Sequence, residues 1–595
     1  MKKIIIISAL AVAAAGMSSC DDFLNDNRFP LDQQTDNPSY WNNEANVQKQ
    51  CDNLYQNFAG YSMSEFYFAT RSDNNASGTG GGFVDWVNTN VPGSSSVWSN
   101  PYTVIRQCNY IINKVPESSL PDSQKAKFIG IGRLIRAQQY YWLVRAYGDV
   151  QYTDQVLDPA DTEALMSPRV DRDIVMDKVY EDLDYACKNI GSGSKTTWSS
   201  DLAYAMTAEI CLYEGTYCKY RTLEENYKAA DPARAEKFLG YAAAAAKAVM
   251  DKNYSLNSSY IGNYNSVSLE NNPEMIFYKE YKMAVLTHSQ INYIVQTTMI
   301  AGMSKDAFDS YLFKDGLPLA KTTCNKNDAG YVKKGIVDGV GATAIIGDEL
   351  YIGDLLAERD QRLYQTIDTC LGYGSTPTPE KPDAGMTWAR VGSARLFSSS
   401  GYLTRKFDNP EDIDWQYRQA GNYTCAPIYW LSYVYCMYAE AKAELGTLTD
   451  ADLDASINKL YARAGLPNQT VASLKAIEDP ANNMGVNSLI WEVRRCRRCE
   501  LMFDRDFRYW DLVRWHQLDK LDNVKYPNIR LGANIKNGNA PYAYMSGDYM
   551  LATPSNNRIF EAHQESPAKA LEGKPGAESS SALQRPDGSR LSVYA

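Results

Sequence analysis

The stretch RRCRRCELMFDRDFRYWDLVRW, residues 494–515, holds seven arginines, two cysteines three apart and a run of aromatic side chains. Those residue types at that spacing could form a redox CxxC pair, a metal site or a phosphate-binding patch. A redox pair needs a helix N-terminus to depress the pKa of its thiol. The segment reads as about six turns of helix starting near Leu489, which places both cysteines mid-helix. Leu489, Val493, Cys496, Cys499 and Phe503 then recur at spacings of four, three, three and four along one apolar stripe. The CxxC therefore reads as packing. The arginines share the segment with Glu500, Asp504, Asp506 and Asp511, and pairs such as Arg508–Asp511 and Asp511–Arg514 stand at helical spacing. That is an internally paired belt, a structural signature, and the binding surface is expected elsewhere.

Other chemistry finds little support. With 71 acidic residues, a carboxylate pair of the kind glycoside hydrolysis requires is always available, so its presence decides nothing. Glu440 and Glu444 flank Lys442 in AEAKAE and read as a solvated helix face. No G-x-S-x-G or H-E-x-x-H motif is present, and GTGGG at 78–82 lacks the Lys-Ser/Thr of a phosphate loop. Only His288, His516 and His563 occur, far apart, which argues against a histidine metal site. Twelve cysteines are scattered without a disulfide framework, and Cys211, Cys436 and Cys496 read as buried thiols. A formal net charge of -11 argues against a nucleic-acid partner. No catalytic residue, cofactor or metal ion is expected.

The elements that position these residues follow from the chain's punctuation. MKKIIIISALAVAAAGMSSC has two lysines, a short apolar run and small residues before Cys20. It reads as a signal peptide of residues 1–19 with lipidation at Cys20. Its removal takes the formal charge to -13. No other stretch approaches the ~20 apolar residues of a membrane span, so an acyl anchor would hold the mature body. Residues 20–43 read as a tether, and 44–253 as an N-terminal helical scaffold with an exposed loop at 71–96. Helices are expected at 44–58, 97–115, 122–148 (from an Asp N-cap to Gly148), 171–190, 200–220 and 231–252. Residues 254–424 are rich in Gly, Pro, Asn and aromatics and read as an irregular binding region. Residues 425–522 return to helices at 428–446 and 450–464; in the C-terminal segment 523–595 the tail from Glu565 is polar, low in large apolar residues and expected to be disordered. Paired helices with short connections predict a mainly α fold: a degenerate tetratricopeptide-like scaffold of helical pairs carrying a large, loop-rich insertion.

Several ordered segments resemble the SusD/RagB-like surface lipoproteins. CDDFLN follows the signal, and VWSNPYTVIRQCNYIIN carries Trp98, Tyr102, Ile105 and Asn109. RLIRAQQYYWLVRAYGDV resembles the family pattern R-A-x-x-Y-x-x-L-V-x-x-Y-G-D-V. FDSYLFKDGLPL, ERDQRLYQTI, YAEAKAELG and INKLYARAGLP follow in order, and the arginine-rich segment parallels R-R-x-E-L-x-F-E-x-x-R-x-x-D-L-x-R-W. The resemblance spans roughly residues 20–522. The family's closing P-I-P-x-x-E…N-P-x-L-x-Q-N-P-G-Y segment has only a faint echo after Asp548. The resemblance implies a protein at the outer face of the outer membrane, lipid-anchored at Cys20, that binds oligosaccharides and delivers them as a lid to a SusC-like TonB-dependent transporter. In some branches of the family the ligand is a peptide.

A sugar binder needs exposed aromatic faces beside hydrogen-bonding side chains. The loops offer Phe83 and Trp86 with Asp73 and Asn75, then Tyr281 and Tyr293 with Gln290, and Trp388 after the proline-rich loop. A surface glycoside hydrolase and a helical-repeat scaffold that docks protein partners are the rival readings.

Overall fold

The computed structural model describes residues 37–62, 71–76, 94–226, 228–290, 302–326, 332–338, 345–372, 400–407, 409, 411, 421–522, 525–534, 545–546 and 549–551. The first half is a run of antiparallel helices: α1 (Glu44–Asn53), α2 (Ser96–Lys114), α3 (Asp122–Tyr147), α4 (Arg172–Asn189), α5 (Ser200–Tyr220) and α6 (Pro232–Met250). Their starts are set by side-chain caps: Ser95, Asp171, Ser199 and Asp231 each accept from a backbone N–H in the first turn. In α3 the expected Asp cap shifts by one, since Pro121 occupies the N-cap and Asp122 is the first helical residue. Gly148, at φ 70°, ends that helix.

Neighbours in sequence pack as neighbours in space, α2 on α3, α3 on α4, α4 on α5 and α5 on α6. Small residues permit the close approach. A Cβ on Gly215 of α5 would stand 2.9 Å from the backbone nitrogen of Leu239 in α6. Tyrosines fill much of this core; Tyr140 is buried, and its hydroxyl donates to the Thr153 carbonyl at 2.8 Å. Trp41, in the stretch read as tether, is also buried in a short helical turn, Pro38–Trp41.

The insertion leaves and rejoins the scaffold through one antiparallel ladder. Strand β1 (Met275–Lys279) pairs with β6 (Ala426–Trp430), Met275 opposite Trp430 and Lys279 opposite Ala426. The helix expected from 428 therefore begins only at Leu431, because β6 takes the preceding five residues. Between these strands lie a short helix, α7 (Lys305–Ser310), and a four-stranded antiparallel sheet of β2 (Val332–Asp338), β3 (Ile345–Tyr351), β4 (Ile367–Gly372) and β5 (Gly401–Thr404).

The scaffold resumes with α8 (Leu431–Glu444), α9 (Ile457–Arg463), α10 (Ser488–Glu500) and α11 (Phe507–Arg514). The expected 450–464 helix is split at Ser456 into Asp450–Ala455 and α9. Beyond the scaffold, strand β7 (Leu531–Asn534) docks on the insertion where Ala533 donates to the Ser400 carbonyl, and it pairs with Tyr549–Leu551. The architecture is the expected one, mainly helical pairs carrying an irregular insertion.

Candidate functional site

The arginine-rich segment is two helices rather than one. Asn487 caps α10, whose face buries Leu489, Val493, Cys496 and Cys499. After Glu500 the chain turns through 501–506, with Phe503 at φ 64° and Arg505 at φ 43°, before α11 begins. Left-handed backbone at two non-glycine residues is costly, so surrounding contacts must hold the turn. Lys406, fully buried, does so by donating to the Met502 carbonyl at 2.8 Å and to Asp504 at 2.7 Å. Burial pushes the Cys496 thiol up to about 12 and that of Cys499 to about 11, against the lowering effect of Arg362. Both are free thiols, as are Cys211 and Cys436. The pair packs, as its spacing indicated.

The arginines pair mostly outside their own segment. Arg494 donates to Glu444 at 2.8 Å, and Arg495 to Glu492 at 2.9 Å and to Asp479. Arg498 reaches Asp306 at 2.8 Å and Asp73 at 3.2 Å. Arg514 forks onto Glu440 at 2.5 and 2.7 Å and also meets Asp511 at 2.8 Å. Of the two expected internal pairs, Asp511–Arg514 forms. Arg508 instead takes both oxygens of Asp73. Glu440 and Glu444 are not a solvated face: both are buried, because α8 turns them toward the guanidinium groups of α10 and α11. Lys442, their expected companion, faces Asp452 at 3.6 Å.

Four of these arginines wall a cavity of about 570 Å³. Arg494, Arg495 and Arg498 come from α10 and Arg508 from α11. Opposite them stand Lys305, Asp306 and Asp309 of α7. Trp491, Lys520 and Tyr526 complete the sides, with Lys326 and Asn528 exposed at the rim. The segment read as purely structural is thus also a cavity wall. Its pairing spacing suggested otherwise because helical periodicity says nothing about which face a neighbouring element leaves open.

The cavity's electrostatics follow from its pairings. Burial would raise the Asp73 carboxyl, but Arg498 and Arg508 hold it down at about 2. For Asp309 burial wins: its pKa is raised despite Lys305 beside it. Each lining carboxylate has a cation, Asp73 two, Asp306 Arg498, Asp309 Lys305 and Asp479 Arg495.

Comparison with known proteins settles the family. The model of the SusD family matches residues 247–566, more than half of the chain. The chain belongs to the SusD family. A SusD-like protein of Bacteroides ovatus is 28% identical over 113 residues, 18% of this chain and 20% of that protein, so the match spans about a fifth of that relative's length. A SusD-like carbohydrate-binding protein of Bacteroides fragilis superposes with a TM-score of 0.62 at 18% identity, covering 87% of this chain and 97% of that one. A laminarin-binding SusD-like protein gives a TM-score of 0.50 at 19% identity, over 80% and 92% of the two chains. The two structural matches establish a shared fold.

Within this SusD-family chain the residues expected to bind are dispersed. Asp73 lines the cavity, held by its two arginines. Asn75 is buried; its side-chain oxygen accepts from Gly302 at 2.8 Å and it bridges to Met303, tying two segments together. Tyr281 and Gln290, expected on exposed loops, are both buried beside His288. The Tyr281 hydroxyl donates to the Tyr61 carbonyl at 3.1 Å, and Gln290 accepts from Ser62 at 3.2 Å. Loop aromatics become core here because β6's approach strand and the 280s hairpin close on one another through the His288–Asn422 bridge. Cys20, Phe83, Trp86, Tyr293 and Trp388 lie outside the described residues. Sequence reasoning missed Arg494, Trp491, Lys520 and Tyr526. For Arg494 the only signal was the excess of arginine over acid in 494–514, and Trp491, Lys520 and Tyr526 had none.

Asp173, Glu214 and Cys218 come within 4.8 Å of one another, a spacing that suits a metal ion. Arg172, Arg221, Arg234 and Lys228 already neutralise the two carboxylates, so the cluster serves as an ion-pair network. Among the described residues no helix is long and apolar enough to cross a membrane.

Proposed function

We propose that this protein is a cell-surface lipoprotein, anchored through Cys20, that captures oligosaccharides and delivers them to a SusC-like TonB-dependent outer-membrane transporter as its lid. The observation that carries the reading is the cavity of about 570 Å³, a volume suited to a few sugar rings, walled by hydrogen-bond donors and flanked by Trp491 and Tyr526. Family membership and relatives named as carbohydrate-binding and laminarin-binding point the same way.

Binding without catalysis fits the wall. A glycosidase needs one carboxyl free to give up a proton and another free to act as nucleophile or base. Here each lining carboxylate is committed to a cation. In this reading residues 44–253 and 425–522 are scaffold, the second also forming the arginine wall of the cavity, 254–424 presents the ligand beside that wall, and Phe83, Trp86, Tyr293 and Trp388 are the candidates for sugar stacking.

The test is calorimetry of the full-length chain in detergent against a panel of oligosaccharides and of peptides, with product analysis of each mixture. Saturable glycan binding with no cleavage is expected. Binding of peptides alone would favour the peptide-binding branch, and turnover would replace the binder with a hydrolase.

A further inference from the structure

We infer that the ligand of this cavity is an anionic oligosaccharide, one bearing carboxylate or sulfate groups. The inference rests on the glycan-binding reading above and narrows it to a chemical class.

The cavity wall is rich in donors and poor in free acceptors. Seven cationic and four acidic side chains line it, in a chain whose formal charge is -11. Buried partners behind the wall, Glu444 and Glu492, pair with Arg494 and Arg495, so six acidic side chains in and behind the wall face seven cationic ones. Every lining carboxylate is already paired with a cation, so the wall has no unpaired acid for a cationic ligand.

The spare capacity lies on the cations. Arg494 is 2% exposed and has five N–H donors. Its Nη2 meets Glu444, its Nη1 has the Met484 thioether at 3.9 Å, its plane lies over the Trp515 ring at 4.2 Å, and its Nε is buried with no hydrogen-bond partner. A thioether is a weak acceptor, so this guanidinium is under-satisfied where it borders the cavity. Lys326, exposed on the rim, has no ion-pair partner among the described residues. Lys520, buried, donates to the Asn483 carbonyl and the Tyr526 hydroxyl and has its nearest carboxylate, Asp519, at 3.8 Å. A neutral sugar would bring weak hydroxyl acceptors to these groups. A carboxylate or sulfate brings charged ones, which form shorter and stronger bonds in a partly desolvated wall. Trp491 and Tyr526 supply flat faces for the sugar ring beside the charge.

The experiment uses the full-length chain and three probes: galacturonic acid oligosaccharides, oligosaccharides whose only charge is sulfate, and neutral laminari-oligosaccharides. At low salt at least one anionic probe is expected to bind about tenfold or more tightly than the neutral one. Raising the ionic strength from 0.05 to 0.5 M should erase most of that difference, since it shortens the screening length to a few ångströms. Which anionic probe binds identifies carboxylate or sulfate as the source.

Arg494→Met removes one of the cations that hold buried Glu444 and is prone to misfold, so the deciding variant is Lys326→Glu, an exposed change outside any ion pair among the described residues. It should leave the melting temperature unchanged and weaken the anionic probe by about tenfold. Neutral oligosaccharides binding better than anionic ones, indifferent to Lys326→Glu, would overturn the inference and leave glycan capture standing. Binding of acidic peptides with no glycan bound would overturn both.

Discussion

Arg508 and Asp73, 435 positions apart in the chain, meet in a two-pronged ion pair, Nε to one carboxylate oxygen at 2.7 Å and Nη2 to the other at 2.6 Å. Arg498 shares the same carboxylate at 3.2 Å. One buried acid from the N-terminal loop thus joins α10 to α11 across the turn that separates them. Asp73→Asn leaves Arg508 without its counter-charge and Arg498 with Asp306 alone, and is expected to cost about 3–5 kcal/mol of stability, read by urea unfolding at pH 7. Because the folded carboxyl sits near 2, below its unfolded value of 3.8, the wild type should lose this contribution as pH falls through that interval, and the variant should not.

Glu440 distinguishes a buried anchor from a surface charge. It accepts from both Arg514 terminal nitrogens and from the Trp515 indole at 2.8 Å. Glu440→Gln should destabilise the chain by about 3 kcal/mol or more, whereas an exposed helix-face glutamate would change stability by no more than about 0.5 kcal/mol. Thermal melts of the variant decide between the two.

His288 links the insertion's first hairpin to the strand that leads back to the scaffold. Its ring faces Tyr61 and Tyr281, and its Nε2 meets the Thr424 carbonyl at 3.0 Å. Burial lowers its pKa from 6.5 to about 4, against the raising effect of that carbonyl. The neutral ring is the folded form, so its stability contribution is complete above pH 6.5 and is lost as pH falls toward 4. The full interval corresponds to about 3 kcal/mol. His288→Gln should flatten the stability profile between pH 7 and pH 4.5, and an unchanged profile would assign the acid sensitivity to other groups.

The CxxC offers a negative control. Cys496→Ala with Cys499→Ala should cost about 1 kcal/mol per site from lost packing and leave ligand affinity unchanged. The count of thiols that react rapidly with a disulfide reagent should not fall, since both sulfurs are buried and protonated.

The scaffold was legible because its signals are local. Ser95, Ser199 and Gly148 mark helix ends within one turn of where they fall. The break after Glu500 was not legible, since neither glycine nor proline marks it and Phe503 and Arg505 take the left-handed backbone themselves. Nor were the partners of the arginines. Spacing of three or four reveals pairs along one helix, as with Asp511 and Arg514, and is silent on Glu444 for Arg494 or Asp73 for Arg508. Tyr281 and Gln290 failed for the same reason: the ladder that buries them is made by residues more than a hundred positions away.

The floor and the rim of the cavity answer to different constraints. Arg494, Arg495, Arg498 and Arg508 hold the fold together through buried pairs, so a change there puts folding at risk before it alters recognition. Lys326, Asn483 and Asn528 stand exposed around the opening. On the proposed binding reading, this scaffold pairs a rigid socket that descendants must inherit with a changeable collar they can rewrite, one surface substitution at a time.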